Sequence, residues 1–325
     1  MKEINRIRAV KNGALLCITD RIIVLPVLRR MVRKTADGLE LLGTENISPK
    51  EGHLFLTNHR DIVLDSSWLT LLLREKWNIR PYIGIGNNLF GKWWIEPFVR
   101  FNRCFVVIRD GNPKDRITHA TILGQYIRNR ISERHSVWLA EREGRSKDGN
   151  DLCQPAVLKM LTMGEDNLLD AIKALNICPV SISYEFDPCD YLKAREMQLK
   201  RDNPEWKKSK EDDLLSMRTG IYGKKGHVVF HLTPSINTWI DEHIDSLRQM
   251  PRNNQLAAIA QRIDFQIHSN YHIFERNESF DRYLRQQIDK ISVPDKDNDF
   301  LLEQMKNMYL NPVINYEKSH LSGEL

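Results

Sequence analysis

What most constrains this chain is an alternation of two patterns. Short apolar runs rich in β-branched residues take turns with stretches whose apolar residues recur every three or four positions. HLFLTNH (53–59), CFVVIRD (104–110), SVWLAERE (136–143), ICPVSISYE (177–185) and GHVVFHLTPSI (226–236) have the length and composition of buried strands. SSWLTLLLREKW ending at Trp77, TILGQYIRNRISE (121–133), AVLKMLTMG (156–164) and LLDAIKALN (168–176) have helical spacing. Strands separated by helices must be joined by crossovers, and crossovers give a largely parallel sheet covered on both faces. The expected fold is therefore α/β, a mostly parallel central sheet flanked by helices. The sequence divides into a basic amphipathic helix pair (1–40), an α/β domain (41–240) and a helical C-terminal extension packed on it (241–325). Residues 193–225 are highly charged and punctuated by glycine, which predicts a surface insertion. A polar tail is expected after about Asn311.

Charge is concentrated at one end. Residues 1–34 hold nine Lys and Arg against Glu3 and Asp20, a local net of +7, although the whole chain carries only +5. The same segment places Ile4, Ile7, Val10, Leu15, Leu16, Ile22, Ile23, Val27, Leu28 and Met31 at helical spacings. Two helices are predicted, roughly 2–12 and 14–34, with Gly13 between them and Pro26 kinking or restarting the second. Such a pair either lies in a membrane interface, its basic rim on anionic head groups, or packs its apolar face on the domain. No stretch approaches the ~18 uncharged apolar residues that a membrane span needs. No stacking aromatics are interleaved with the charges, so nucleic acid is not an expected partner.

The five cysteines (Cys17, Cys104, Cys153, Cys178 and Cys189) include no Cys-x-x-Cys pair. Reduced thiols in a cytoplasmic setting are expected, and no signal-peptide pattern opens the chain. His227 and His231 share a strand face but lack a third ligand, so no metal site is expected. Trp93 and Trp94 suit a membrane interface and a buried core equally well.

In open α/β sheets, reactive residues gather beyond the carboxyl ends of the strands. Here those positions hold Asn58, His59 and Asp65, then Arg109 and Asp110, then Glu143, Gly144, Arg145 and Ser146, then Tyr184, Glu185 and Asp187. His59-Arg60-Asp61 has the letters of a kinase catalytic loop. The context excludes that reading: no nucleotide lobe precedes it, Ser66 stands where the magnesium-binding Asn belongs, and no Asp-Phe-Gly follows.

NHRDIVLD (58–65), the strand ending at Arg109, EREGRSKDG (141–149) and the Pro179-Val180 strand resemble four ordered blocks of the glycerophosphate and lysophosphatidate acyltransferases, across about residues 50–240. The chain departs from the family pattern in two places. Five residues separate His59 from Asp65 where the family has four, and the third block is one residue short and lacks its leading Pro. The resemblance implies acyl transfer from an acyl thioester, carried by acyl carrier protein or coenzyme A, to a hydroxyl of a glycerophosphate or lysophosphatidate in phospholipid synthesis. It implies His59 as general base and Asp65 as its orienting acid, with Asp61 the alternative. Arg109 and Arg145 would hold an acceptor phosphate, Glu143 the polar head or Arg145, and Gly144 and Ser146 would complete the substrate-binding block. It calls for no cofactor and no metal, and implies a peripheral enzyme on the inner face of the cytoplasmic membrane. A noncatalytic lipid-binding protein with the same fold, or an acyltransferase acting on another lysolipid or an amino-acid lipid, is the alternative.

Overall fold

The computed structural model describes residues 20–86, 103–108, 112–276 and 278–321. Its centre is a seven-stranded sheet: β1 (Gly38–Leu42), β2 (Leu54–Thr57), β3 (Tyr82–Gly86), β4 (Cys104–Val107), β5 (Val137–Ala140), β6 (Ile177–Tyr184) and β7 (His227–Leu232). The spatial order is β1-β7-β6-β2-β5-β3-β4. Every neighbouring pair is parallel except β6 with β7, so five strands run one way and the β1–β7 edge runs the other.

Helices among the described residues are α1 (Leu25–Thr35), α2 (Leu64–Trp77), α3 (Pro113–Ser132), α4 (Pro155–Leu161), α5 (Leu168–Lys173), α6 (Asp190–Asp202), α7 (Lys210–Tyr222), α8 (Asn237–Glu242), α9 (Ile244–Gln249), α10 (Arg252–His268), α11 (Glu278–Asp289) and α12 (Asn298–Leu321). Polar side chains start several of them. Asn112 accepts from the Asp115 amide at 2.9 Å, and Ser209 with Asp212 forms a capping box on α7.

The strand period of two sorts the core into faces. Along β2, Leu54 and Leu56 pack in one cluster with Ile127 of α3, Leu158 of α4 and Ile263 of α10. Phe55 between them packs in the other, with Trp68 and Leu69 of α2. All eight residues of β6 are buried, as a central strand covered on both sides requires. A third, smaller cluster joins Ala194 of α6 to Leu284 of α11 and to Leu301 and Met305 of α12.

Two strands carry no clear sequence signal. β1 (GLELL) has weak alternation, and β3 is YIGIG, whose glycines lower strand propensity. Gly84 is required there, because a Cβ would meet Leu139 Cδ2 at 2.2 Å. Residues 193–225 hold most of α6 and all of α7; 201–215 are exposed or half-buried, as expected of a surface segment, but Lys193, Gln198, Ser216 and Lys225 are buried. Their charges misled because buried charges that find partners look, in a sequence, like exposed ones: Lys193 Nζ lies 2.5 Å from Asp187 Oδ2. The polar tail expected after Asn311 is instead the last part of α12. Its amides bind the loop after β5, Asn311 Nδ2 donating to Asp148 O at 2.8 Å and Asn315 Nδ2 to Asn150 Oδ1 at 3.1 Å.

Of the predicted N-terminal helix pair, residues 1–19 lie outside the described residues. From Asp20 a π-helical turn leads into α1, with Pro26 in its first turn. One side of α1 packs through Leu25 and Leu28 on Leu71 of α2. Ile22 at 67%, Ile23 at 58% and Val27 at 48% exposure are left bare. Among the described residues no helix is long and apolar enough to cross a membrane.

Candidate active site

The carboxyl ends of β2, β5 and β6 meet at one end of the sheet, and the turn from β2 into α2 occupies that meeting point. Asp65 lies in the first turn of α2, where unpaired amides favour a carboxylate. It is fully buried and surrounded by donors. His59 Nδ1 donates to its Oδ2 at 2.9 Å, and the backbone amides of Arg60 and Asp61 donate to the same oxygen at 2.7 and 2.9 Å. The Tyr184 hydroxyl donates to its other oxygen, Oδ1, at 3.1 Å. The turn between His59 and Asp65 curls so that two successive amides face the carboxylate.

A carboxylate only accepts, so the proton of the neutral imidazole sits on Nδ1 and leaves the Nε2 lone pair unprotonated. Nε2 has no hydrogen-bond partner among the described residues. The Trp138 ring stands edge-on to the imidazole, 6.0 Å between centroids.

Asp61 is occupied elsewhere. Its Oδ1 accepts from the amides of Val63 and Leu64, both at 2.8 Å, and so caps the start of α2. Its other oxygen packs so close to Gly220 of α7 that a Cβ there would lie 2.0 Å away. Burial, with the charge of Asp65 nearby, pushes the Asp61 carboxyl up from its ordinary range.

The loop after β5 closes over this turn. The Ser146 amide donates to His59 O at 2.9 Å. Gly144 turns the loop with a left-handed φ of +72°, which glycine adopts without strain. Asp151, at the far end of the loop, is fully buried, and its Oδ2 gathers three donors: Arg60 Nη2 at 2.6 Å, Asn58 Nδ2 at 2.9 Å and the Tyr271 hydroxyl at 2.6 Å. Burial alone would raise its pKa, but Arg60, Tyr271 and Asn58 hold it below the ordinary carboxylate range. Glu141, at the near end, is equally buried, yet neither carboxyl oxygen has a hydrogen-bond partner among the described residues. Burial and the charges of Asp151 and Asp264 push it well above the ordinary range. Asp264 of α10, also raised mainly by burial, sits at about 7.

In front of the turn opens a cleft of about 1140 Å³ that includes His59. Its lining includes the apolar Ile85, Val107, Ile117, Leu139, Val157 and Met160. It also includes Arg142, Arg145, Lys147 and Lys208 with acidic neighbours. Lys147 pairs with Glu196, and Lys208 with Asp213 at 2.6 Å. Arg145 has a buried Nη1 with no hydrogen-bond partner among the described residues. Burial opposes its charge, but the Cys189 side chain and the carboxylates of Asp61 and Asp187 hold its pKa above the ordinary value.

Of the sequence-predicted residues, His59, Glu143, Gly144 and Arg145 line this cleft. Asp65 lies directly behind His59, and Ser146 is buried against the turn. Arg109 falls outside the described residues, as do Trp93 and Trp94. Sequence reasoning missed Arg60, Asp151 and Tyr271 and gave Tyr184 no role. Their contacts span 91 residues for Arg60–Asp151, 119 for Tyr184–Asp65 and 120 for Tyr271–Asp151, so no local signal marks them. Among the described residues no cluster of His, Cys, Asp or Glu could hold a metal ion.

No protein-family model matches the chain, and no curated protein does. Among solved structures, the 1-acyl-sn-glycerophosphate (LPA) acyltransferase PlsC from Thermotoga maritima matches over 77% of this chain and 94% of its own. The identity is 11% and the TM-score 0.38. A likeness at that level says nothing about the chemistry of this chain.

Proposed function

We propose that this chain is an O-acyltransferase that moves a fatty acyl group from an acyl thioester to a hydroxyl of a glycerophosphate or lysophosphatidate. The observation that carries the reading is the His59–Asp65 pair, 2.9 Å apart, beside a cleft lined by both apolar and basic side chains. The apolar lining suits an acyl chain, and an Arg145 Nη1 without a partner among the described residues suits an acceptor phosphate. The four sequence blocks give Arg109 the same role.

His59 Nε2 takes the proton of the acceptor hydroxyl as its oxygen attacks the thioester carbonyl carbon. The tetrahedral intermediate collapses, the carbon–sulfur bond breaks, and the imidazolium returns the proton to the leaving thiolate. Asp65 keeps the imidazole in the reactive tautomer and stabilises the imidazolium. No covalent bond to the protein forms. The donor is acyl carrier protein or acyl-CoA, and the chemistry requires no cofactor or metal.

The bare Ile22 and Ile23 of the π-helical turn and Val27 of α1, with the basic charge around them, favour a peripheral position on an anionic membrane, the inner face of the cytoplasmic membrane. Changing Ile22, Ile23 and Val27 together to Asp is expected to reduce sedimentation with anionic vesicles by about tenfold; undiminished binding assigns this segment another role.

The deciding experiment offers acyl-CoA and acyl carrier protein thioesters with a panel of glycerophosphate and lysolipid acceptors, and reads products by mass. His59→Ala is expected to lose about 1000-fold in kcat, the range for a general base. Unchanged transfer by that variant removes His59 as the base, and no transfer by the wild-type chain with any donor and acceptor leaves a lipid-binding protein with this fold.

A further inference from the structure

We infer that Arg60 and Asp151 are positioning residues: their buried ion pair holds the backbone of the His59 turn in the shape that aims two amides at Asp65. This rests on His59 as the general base. Neither group lines the large cleft. Arg60 borders a separate cavity of about 40 Å³ behind the turn, too small for a substrate.

The turn follows the last residue of β2, so no strand ladder fixes it. What fixes it is a set of side chains from four other segments. Asn58 is locked to the middle of β6, its Oδ1 accepting from Ile182 N at 2.8 Å and its Nδ2 donating to Ile182 O at 3.0 Å. Lys193 of α6 donates to Arg60 O at 3.2 Å, and Ser146 N–H holds His59 O. Asp151 Oδ2 alone reaches the side chains on both sides of the histidine, Asn58 at 2.9 Å and Arg60 at 2.6 Å. The Tyr271 hydroxyl and the His268 ring, which contacts Asp151 O, anchor it from α10 and the loop beyond. Loss of either charge frees the turn, and the Arg60 and Asp61 amides then leave Asp65. With them goes the orientation of the carboxylate that binds the imidazole.

Positioning and simple electrostatics make opposite claims. Removing a nearby cation raises the pKa of an imidazole, and removing a nearby anion lowers it. If the pair acts through the turn, both changes weaken the His59–Asp65 contact, and both lower the His59 pKa.

The test follows the His59 ring signals of the full chain through a pH titration by NMR, assigned with His59→Ala. Wild type is compared with Asp151→Asn, Arg60→Gln and Arg60→Lys. The expected result is a lowered His59 pKa in Asp151→Asn and Arg60→Gln alike, with kcat down about 100-fold and the donor KM within about twofold. Arg60→Lys keeps the buried charge and the fold but not the guanidinium geometry, and is expected to lose about tenfold in kcat. Shifts of opposite sign in the two neutralised variants overturn the inference, as does a wild-type titration in both. Should those variants not fold, Arg60→Lys decides: wild-type kcat and titration there overturn it. The titration needs no turnover, so a chain inactive in every form would sink the proposed function while leaving this readout intact.

Discussion

Glu141 and Asp151 stand at the two ends of one loop, each a fully buried carboxyl group, and their ionisation runs in opposite directions. Depth cannot explain the difference. Donors can: Asp151 has Arg60, Asn58 and Tyr271 on one oxygen, whereas both oxygens of Glu141 lack a partner among the described residues. A buried charge persists where hydrogen bonds replace its hydration, and otherwise the group takes up a proton. The donors belong to the side of the loop that touches the His59 turn. That is where a fixed negative charge has work to do.

The sharpest way to break the contrast is to remove the charge and keep the shape. Asp151→Asn leaves Arg60 buried without its counter-ion and is expected to destabilise the fold by about 3–5 kcal/mol in urea unfolding. A loss below about 1 kcal/mol would falsify the claim that the pair is closely coupled. Next in size is Tyr271→Phe, which removes one of three donors and should cost about 2 kcal/mol by the same measurement, the range for a hydrogen bond to a charged group.

The smallest change has the opposite sign. Glu141→Met deletes two unpaired oxygens and should stabilise the chain by about 1 kcal/mol at pH 7. Its pH dependence gives a second check. The folded pKa of Glu141 is raised, so its share of stability is intact below the ordinary carboxylate range and is lost as pH rises through the folded value. Asp151 is depressed, so its share is present above the ordinary range and is lost only as pH falls through the folded value. Stability measured upward from about pH 4.5 should therefore decline less steeply in Glu141→Met than in wild type. Equal slopes would show that Glu141 titrates as an ordinary surface acid.

The same contrast explains what the sequence could and could not reveal. The five strands with continuous apolar runs were legible because such runs are a local signal. β3 was hidden by glycines, of which Gly84 is needed for close packing against Leu139, and α6 was hidden by charges such as Glu196 and Arg201, whose partners Lys147 and Asp297 lie elsewhere in the fold. In the site, the spacing of His59 and Asp65 within one turn was visible, and so was the cluster from Glu143 to Ser146. The choice between Asp61 and Asp65 as the partner of the imidazole depends on which carboxylate the curled backbone faces, which only the folded turn reveals. Arg60 read as part of an irrelevant motif, since Asp151 and Tyr271 join it only when three distant segments meet.

The reversed β1–β7 edge has a consequence for how the molecule is made. β7 leads the chain away from the carboxyl ends of the parallel strands, and α10 brings it back, where Tyr271 reaches Asp151 and the His272 amide reaches Ser183. On a ribosome His59 and Asp65 emerge early, but the residue that finishes their support arrives some 200 positions later. A nascent chain halted before α10 can carry the whole reactive pair and still be idle.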